Sequence, residues 1–268
     1  QTYSEVGVIS ITANPPSYIG GEVIASTTSV PIGRFVPHHF VSSAMFITNR
    51  TDLSCSTPVF TYLGEPFDAD FTLRAVNASG VTTENYHNDA VGGNNFAQLN
   101  SFGELNLVAI DGGSSLTDRV VEESATAFDW SDPLTPGQAS IAVRINIERL
   151  SSGGRDGPFT STQLAIAPED NDGVTLAAFN LDVSDPPTGD DHLIVDTTDL
   201  RYGRLKVSNA FGHQASDLSI PVVAEYFNSA TGAFNTNTLD SCTPITDRTL
   251  LYPSPPLDDG DTNVSIVL

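Results

Sequence analysis

Apolar and polar residues alternate with a period of two along most of this chain. In FTLRAV, residues 71–76, Phe71, Leu73 and Ala75 share one face, with Thr72 and Arg74 on the other. IAVRINIE, 141–148, turns Ile141, Val143, Ile145 and Ile147 one way and Ala142, Arg144, Asn146 and Glu148 the other. GVISITA (7–13) and ELNLVAI (104–110) read alike. Such alternation predicts half-buried strands of antiparallel sheets. Turn-forming clusters separate the runs: NPP (14–16), NASG (77–80), GGNN (92–95), DGGSS (111–115), SSGGRDG (151–157) and DPPTGDD (185–191). Gly supplies positive φ in these, and Asn and Asp close turns with their own side chains.

One segment has rough helical spacing. SLTDRVVEESA, 115–125, sets Leu116, Val120 and Val121 near one face, with Thr117 as an N-cap; a short strand is the alternative. No repeat of fixed period is visible. The pattern predicts an all-β fold of antiparallel β-sandwich (Ig-like) domains with more than one sheet unit. Residues 1–35 read as the terminal strands of a truncated N-terminal β domain, 36–190 as a β-sandwich, and 191–268 as a smaller β domain. The Pro- and Asp-rich stretch 181–193 is the expected linker.

The chain has 268 residues and a net charge of −22, from 33 acidic and 11 basic side chains. That balance argues against nucleic acid, whose phosphates require a basic surface. It fits simple solvation or divalent cation binding. The chain begins at Gln1 without an initiator Met or a signal peptide, which reads as a processed protein or an excised fragment. No apolar run approaches the roughly 20 residues of a transmembrane helix.

Lys206 is the sole lysine. In RLKVS (204–208) it alternates with Leu205 and Val207, so it belongs on a solvent face with those two turned inward. An isopeptide crosslink would require it buried. The two cysteines, Cys55 and Cys242, lack metal or redox spacing. In an exported protein the default is a disulfide; two unrelated thiols are the alternative.

The adjacent pair His38 and His39 raises the question of a metal site. Successive strand residues point to opposite faces, so a regular strand keeps the two rings apart. Carboxylates offer more. EDNDG (169–173) is oxygen-rich around a Gly, as are DPPTGDDH (185–192) and LDDGDTN (257–263). The full twelve-residue calcium loop is missing, and Asp in loops is common for turn chemistry alone. Asp170, Asp172, Asp190 and Asp191 are the candidate ligands for a bound Ca²⁺. No nucleophile elbow, HExxH or phosphate loop occurs, so the chain reads as non-catalytic. Trp130, Tyr202, Tyr226, Phe227 and Tyr252 are candidates for a glycan platform, although Phe128 and Trp130 share a strand face suited to core packing.

A series of phrases adds a family. IGRFVPHHF (32–40), Cys55 shortly before FTYLGEPF (60–67), FTLRAVNASG (71–80), RYGRLKVSNAFG (201–212), PVVAEYFN (221–228) and DSCT (240–243) occur in order. This series resembles the C-terminal region of MshQ-like proteins of bacterial MSHA-type pilus biogenesis. The resemblance implies an exported, pilus-associated protein at the surface of a Gram-negative bacterium, with other pilus or cell-surface proteins as partners and glycans as a further candidate. It brings no catalytic residues. Both cysteines fall inside shared phrases, which favours the Cys55–Cys242 disulfide. The family commonly has an acidic residue at one of the two histidine positions, which weakens a role for the pair. The expected function is a non-catalytic structural or adhesion module of the pilus; the alternative is a Ca²⁺-dependent carbohydrate-binding module.

Overall fold

The computed structural model describes residues 3–14, 26–55, 58–88, 96–184, 186–213 and 219–244. The GGNN and LDDGDTN clusters and Tyr252 lie outside the described residues, as does most of the NPP turn.

The N-terminal segment forms two short ladders. β1 (Gly7–Ile9) pairs with β4 (Ile32–Phe35), and β2 (Thr12–Ala13) with β3 (Thr27–Thr28). GVISITA is thus broken at Ser10 and Ile11 rather than continuous. Val6 anchors this segment: it is buried, and Asn85 Nδ2 donates to its carbonyl at 3.1 Å.

Two sheets follow, facing one another. Their strands are β5 (His39–Thr48), β6 (Phe60–Tyr62), β7 (Phe67–Val76), β8 (Val108–Asp111), β9 (Ser114–Ser115), β10 (Val120–Asp129), β11 (Gln138–Ile147), β12 (Phe159–Ile166) and β13 (Leu193–Arg201). The four-stranded sheet has the order β10-β11-β7-β5, and the five-stranded sheet β6-β13-β12-β8-β9. The alternating residues of β7 and β11 fill the space between them: Phe67, Ala69, Phe71, Leu73, Ala75, Ile141, Val143, Ile145 and Ile147 are buried. They meet Leu164, Ile166 and Val195 of the other sheet in one continuous core. Among the described strands every ladder is antiparallel except β6 with β13, which is parallel and departs from the expected pattern, as does the isolated parallel bridge of Phe40 with Leu176.

A third sheet, β14 (Gly203–Val207), β15 (Val222–Asn228) and β16 (Ala233–Thr236), comes last. β13, which the sequence reading placed beyond residue 190 in a smaller unit, is hydrogen-bonded between β6 and β12 of the sandwich. The stretch expected as a linker folds back on itself, with Leu181 bridged to His192 and Asp182 accepting from Ser184 and Gly189.

At 115–125 the strand alternative holds over the helix: a 3-10 turn, Thr117–Arg119, runs into β10. The β-branched Val120 and Val121 pair there with Ile147 and Asn146 of β11. In ELNLVAI, Glu104 and Leu105 belong to a second 3-10 turn, Phe102–Leu105, and only Val108–Asp111 is strand. Trp130 is buried against Phe40 and Tyr86, and its Nε1 donates to Leu99 O at 2.9 Å. No described helix is long and apolar enough to cross a membrane.

Candidate functional site

A dense polar network joins the end of β5 to the end of the described chain. After β5 the backbone turns at Arg50, whose φ of 51° lies in the left-handed region, and Leu53 N bonds Arg50 O at 3.0 Å. That turn points the guanidinium inward. Arg50 Nε donates to both Glu65 oxygens at 3.1 Å, Nη1 to Asp240 Oδ1 at 2.9 Å and Nη2 to Thr243 Oγ1 at 2.8 Å. The rings of Phe60 and Tyr62 lie about its cationic carbon at 5.0 and 5.1 Å. Desolvation of a buried charge is expensive unless every donor is matched, and here each guanidinium nitrogen has a partner.

Asp240 is the second hub. Its carboxylate accepts from Arg50, from Tyr62 OH at 2.8 Å and from Thr243 N at 3.0 Å. Tyr62 OH accepts in turn from Asn237 Nδ2 at 2.7 Å, and Asn237 Oδ1 accepts from Arg201 Nη1 at 2.5 Å. Burial works to raise the Asp240 pKa, but bonds from Thr243, Arg50 and Tyr62 outweigh it and hold the carboxyl well below the usual range. Burial pushes the Tyr62 phenol up, so it stays a protonated donor. Beside this network Cys55 and Cys242 form a disulfide, with Cα atoms 5.3 Å apart. The expected bridge is therefore present, and it covalently ties the clamp that Arg50 makes electrostatically.

A cleft of about 530 Å³ opens next to the clamp. One wall is the turn Leu63–Pro66 with Tyr62; the other is β14, through Gly203, Arg204 and Leu205. Arg149 bridges the walls, donating Nε to Leu63 O and Nη2 to Gly203 O, with its guanidinium 4.5 Å from the Tyr202 ring centre. Gly203 is needed where it stands, because a Cβ there would overlap the Tyr62 ring.

The four candidate Ca²⁺ ligands do not converge. Among the described residues no three His, Cys, Asp or Glu form a group suited to a metal ion. Asp170 is buried and closes its own turn: Oδ1 accepts from Asp172 N and Val174 N, both at 2.9 Å, and Oδ2 accepts from Tyr86 OH at 2.7 Å. Burial raises the pKa of both Asp170 and Tyr86. Asp172 makes a two-pronged pair with Arg34, at 2.7 and 2.6 Å. Asp191 lies 2.8 Å from His192 Nδ1, which with Asp182 belongs to the folded-back loop. Asp190 is exposed on that loop.

The histidine pair corrects the alternation argument. β5 starts only at His39, so His38 lies outside the regular strand, and the two Nδ1 atoms come within 2.8 Å. Lys206 is on the exposed face as expected, 3.2 Å from Glu225. Leu205 and Val207, expected to face inward, are 46% and 66% exposed. Of the aromatic candidates, Tyr202, Tyr226 and Phe227 are half-buried and engaged with Arg149, Arg201 and Phe234.

Sequence reasoning missed Arg50, Glu65 and Asp240. A signal was present: Arg50 and Asp240 are each within five residues of a cysteine, so a disulfide necessarily brings these opposite charges near one another.

Residues 5–192 match the family model described as DUF6701, third domain, and residues 201–266 match DUF6701, fourth domain. No curated protein and no solved structure matches the chain.

Proposed function

The chain belongs to the DUF6701 family, and from that premise we propose that it is a non-catalytic, MshQ-like module of an MSHA-type pilus, working outside the cell by recognising another pilus or surface protein. The ordered phrases from IGRFVPHHF to DSCT support the pilus assignment. The disulfide fits an exported protein, since such bonds persist in oxidising compartments. One observation carries the recognition reading: the last sheet is fastened to the sandwich by the Arg50–Asp240 clamp and the disulfide, yet among the described residues it keeps an open strand along the cleft. The groups whose pKa values depart from the ordinary fit the same reading, because Tyr62, Tyr86, Asp170 and Asp240 each hold a turn or a strand in place.

The test uses the whole chain as bait against proteins sheared from cells bearing MSHA-type pili. Enrichment of a pilus component over an unrelated acidic β-sandwich is expected. Recovery of the same proteins by both baits would sink the pilus assignment.

A further inference from the structure

Among the described residues β14 is an edge strand, paired only with β15. The ladder decides which backbone groups that edge presents. Phe227 N donates to Tyr202 O and Ser208 N to Pro221 O, each at 2.9 Å, and the register between them is unbroken. Bonded and non-bonded positions alternate along an antiparallel pair. Arg204 and Lys206 therefore turn their N–H and C=O toward β15, while Gly203, Leu205 and Val207 turn theirs away. Arg149 occupies the Gly203 carbonyl. Among the described residues the outward groups of Leu205 and Val207 have no backbone partner, which leaves them as a template for two residues of an added strand.

The side chains specify what that strand must carry. Leu205 and Val207 expose apolar surface on one face. On the other, Arg204 and Lys206 are roughly half exposed above Glu225, whose single carboxylate serves both. Arg149, Arg155, Arg204 and Lys206 lie in or against this sheet, stacked on its aromatic rings or paired with Glu225, so four of the chain's 11 basic residues gather on its surface, while the largely buried Arg201 is paired with Asp199. Arg149, at the cleft, forms no ion pair among the described residues. In a chain of net charge −22 this is a local basic surface. Edge lysines and arginines repel a basic strand and accept an acidic one.

We propose that the β14 edge accepts an extended strand from a partner protein whose residues alternate between apolar side chains, which cover Leu205 and Val207, and carboxylates, which meet Arg204 and Lys206. The inference rests on the reading of this chain as a recognition module and names the surface it uses.

The experiment adds the peptides acetyl-(Glu-Val)₄-amide and acetyl-(Lys-Val)₄-amide to the whole chain, and follows binding by calorimetry and residue-resolved amide exchange. In the free chain the Leu205 and Val207 amides should exchange faster than those of Arg204 and Lys206. The acidic peptide should slow them by about tenfold or more, and the basic peptide should not. Lys206→Glu should weaken acidic-peptide binding about tenfold while the far-ultraviolet spectrum is kept. Val207→Pro, which removes one outward N–H, should abolish binding while the far-ultraviolet spectrum is kept. Protection of Leu205 and Val207 in the free chain would mean that the chain covers its own edge, and protection that grows with protein concentration would mean a second copy does; either overturns the proposal. Equal response to both peptides, or none, also overturns it. Pilus association is read separately by the shear-fraction experiment, so the two can fail independently.

Discussion

Arg50 and Asp240 are 190 positions apart in the chain and meet at 2.9 Å with both side chains 1% exposed. The pair joins the turn after β5 to the segment after β16, so the first strand of the sandwich and the last sheet are held by one buried ionic contact beside one disulfide.

Breaking that contact from one side leaves a charge buried and unmatched. Arg50→Met should destabilise the fold by about 3–5 kcal/mol in urea denaturation. The double variant Arg50→Met, Asp240→Asn should recover part of the loss, because the orphaned carboxylate is gone. Equal losses in the single and double variants would show that the pair is not coupled.

The disulfide spans 187 residues. Replacing Cys55 and Cys242 together by Ser should lower stability by up to about 5 kcal/mol from chain entropy alone. Calorimetry with and without reductant should give the same ordering. A melting temperature indifferent to both treatments would show that the clamp suffices alone.

The lowered Asp240 pKa contributes to the acid limb of stability. A carboxyl whose folded pKa is depressed contributes stability above its unfolded value, about 3.9, and that contribution is lost as pH falls through the folded value. Stability should therefore decline from about pH 5 downward, and Asp240→Asn should flatten this decline. Asp170 acts with the opposite sign: burial raises its folded pKa, so its contribution is present at low pH and lost as pH rises through that value. Asp170→Asn should leave the acid decline in place.

Gly203 lies against the Tyr62 ring, where an added methyl has no room. Gly203→Ala should cost about 1–3 kcal/mol by forcing β14 off the cleft wall. Gly103→Ala, at a position with nothing nearby, serves as the control and should stay within about 0.5 kcal/mol.

Asp170 and Asp172 are already matched by Tyr86, backbone N–H groups and Arg34. Titration with Ca²⁺ should leave the melting temperature unchanged. A rise abolished by Asp172→Asn would instead show that Arg34 gives way to the ion.

Much of the fold was legible because strand side chains alternate strictly. β7 and β11 bury the residues their pattern names, and the all-β class follows from many such segments. β5 shows where alternation stops being enough. An extra residue between Ser43 and Phe46, with Ala44 at a φ of 52°, shifts the register. Inward positions then pass from Phe40 to Met45 and Ile47, leaving Phe46 exposed. A bulge moves parity by one, and nothing in HFVSSAMFIT announces it. The exposure of Leu205 and Val207 was hidden for another reason: alternation assigns two faces to a strand but does not say whether anything packs on either.

By itself, the sequence determined the β class, the turns that fall among the described residues, the buried faces of the central strands and, through the family phrases, the pairing of its two cysteines. Those follow from local stereochemistry and from residues that recur in order. Only the tertiary structure decided that Arg50 meets Asp240, that β6 runs parallel to β13, that the turns of Asp170 and Asp182 close on their own backbone, and that β14 is an edge strand among the described residues. These depend on which distant segments come together, and a linear pattern does not encode the distance between strands that share no neighbouring residues.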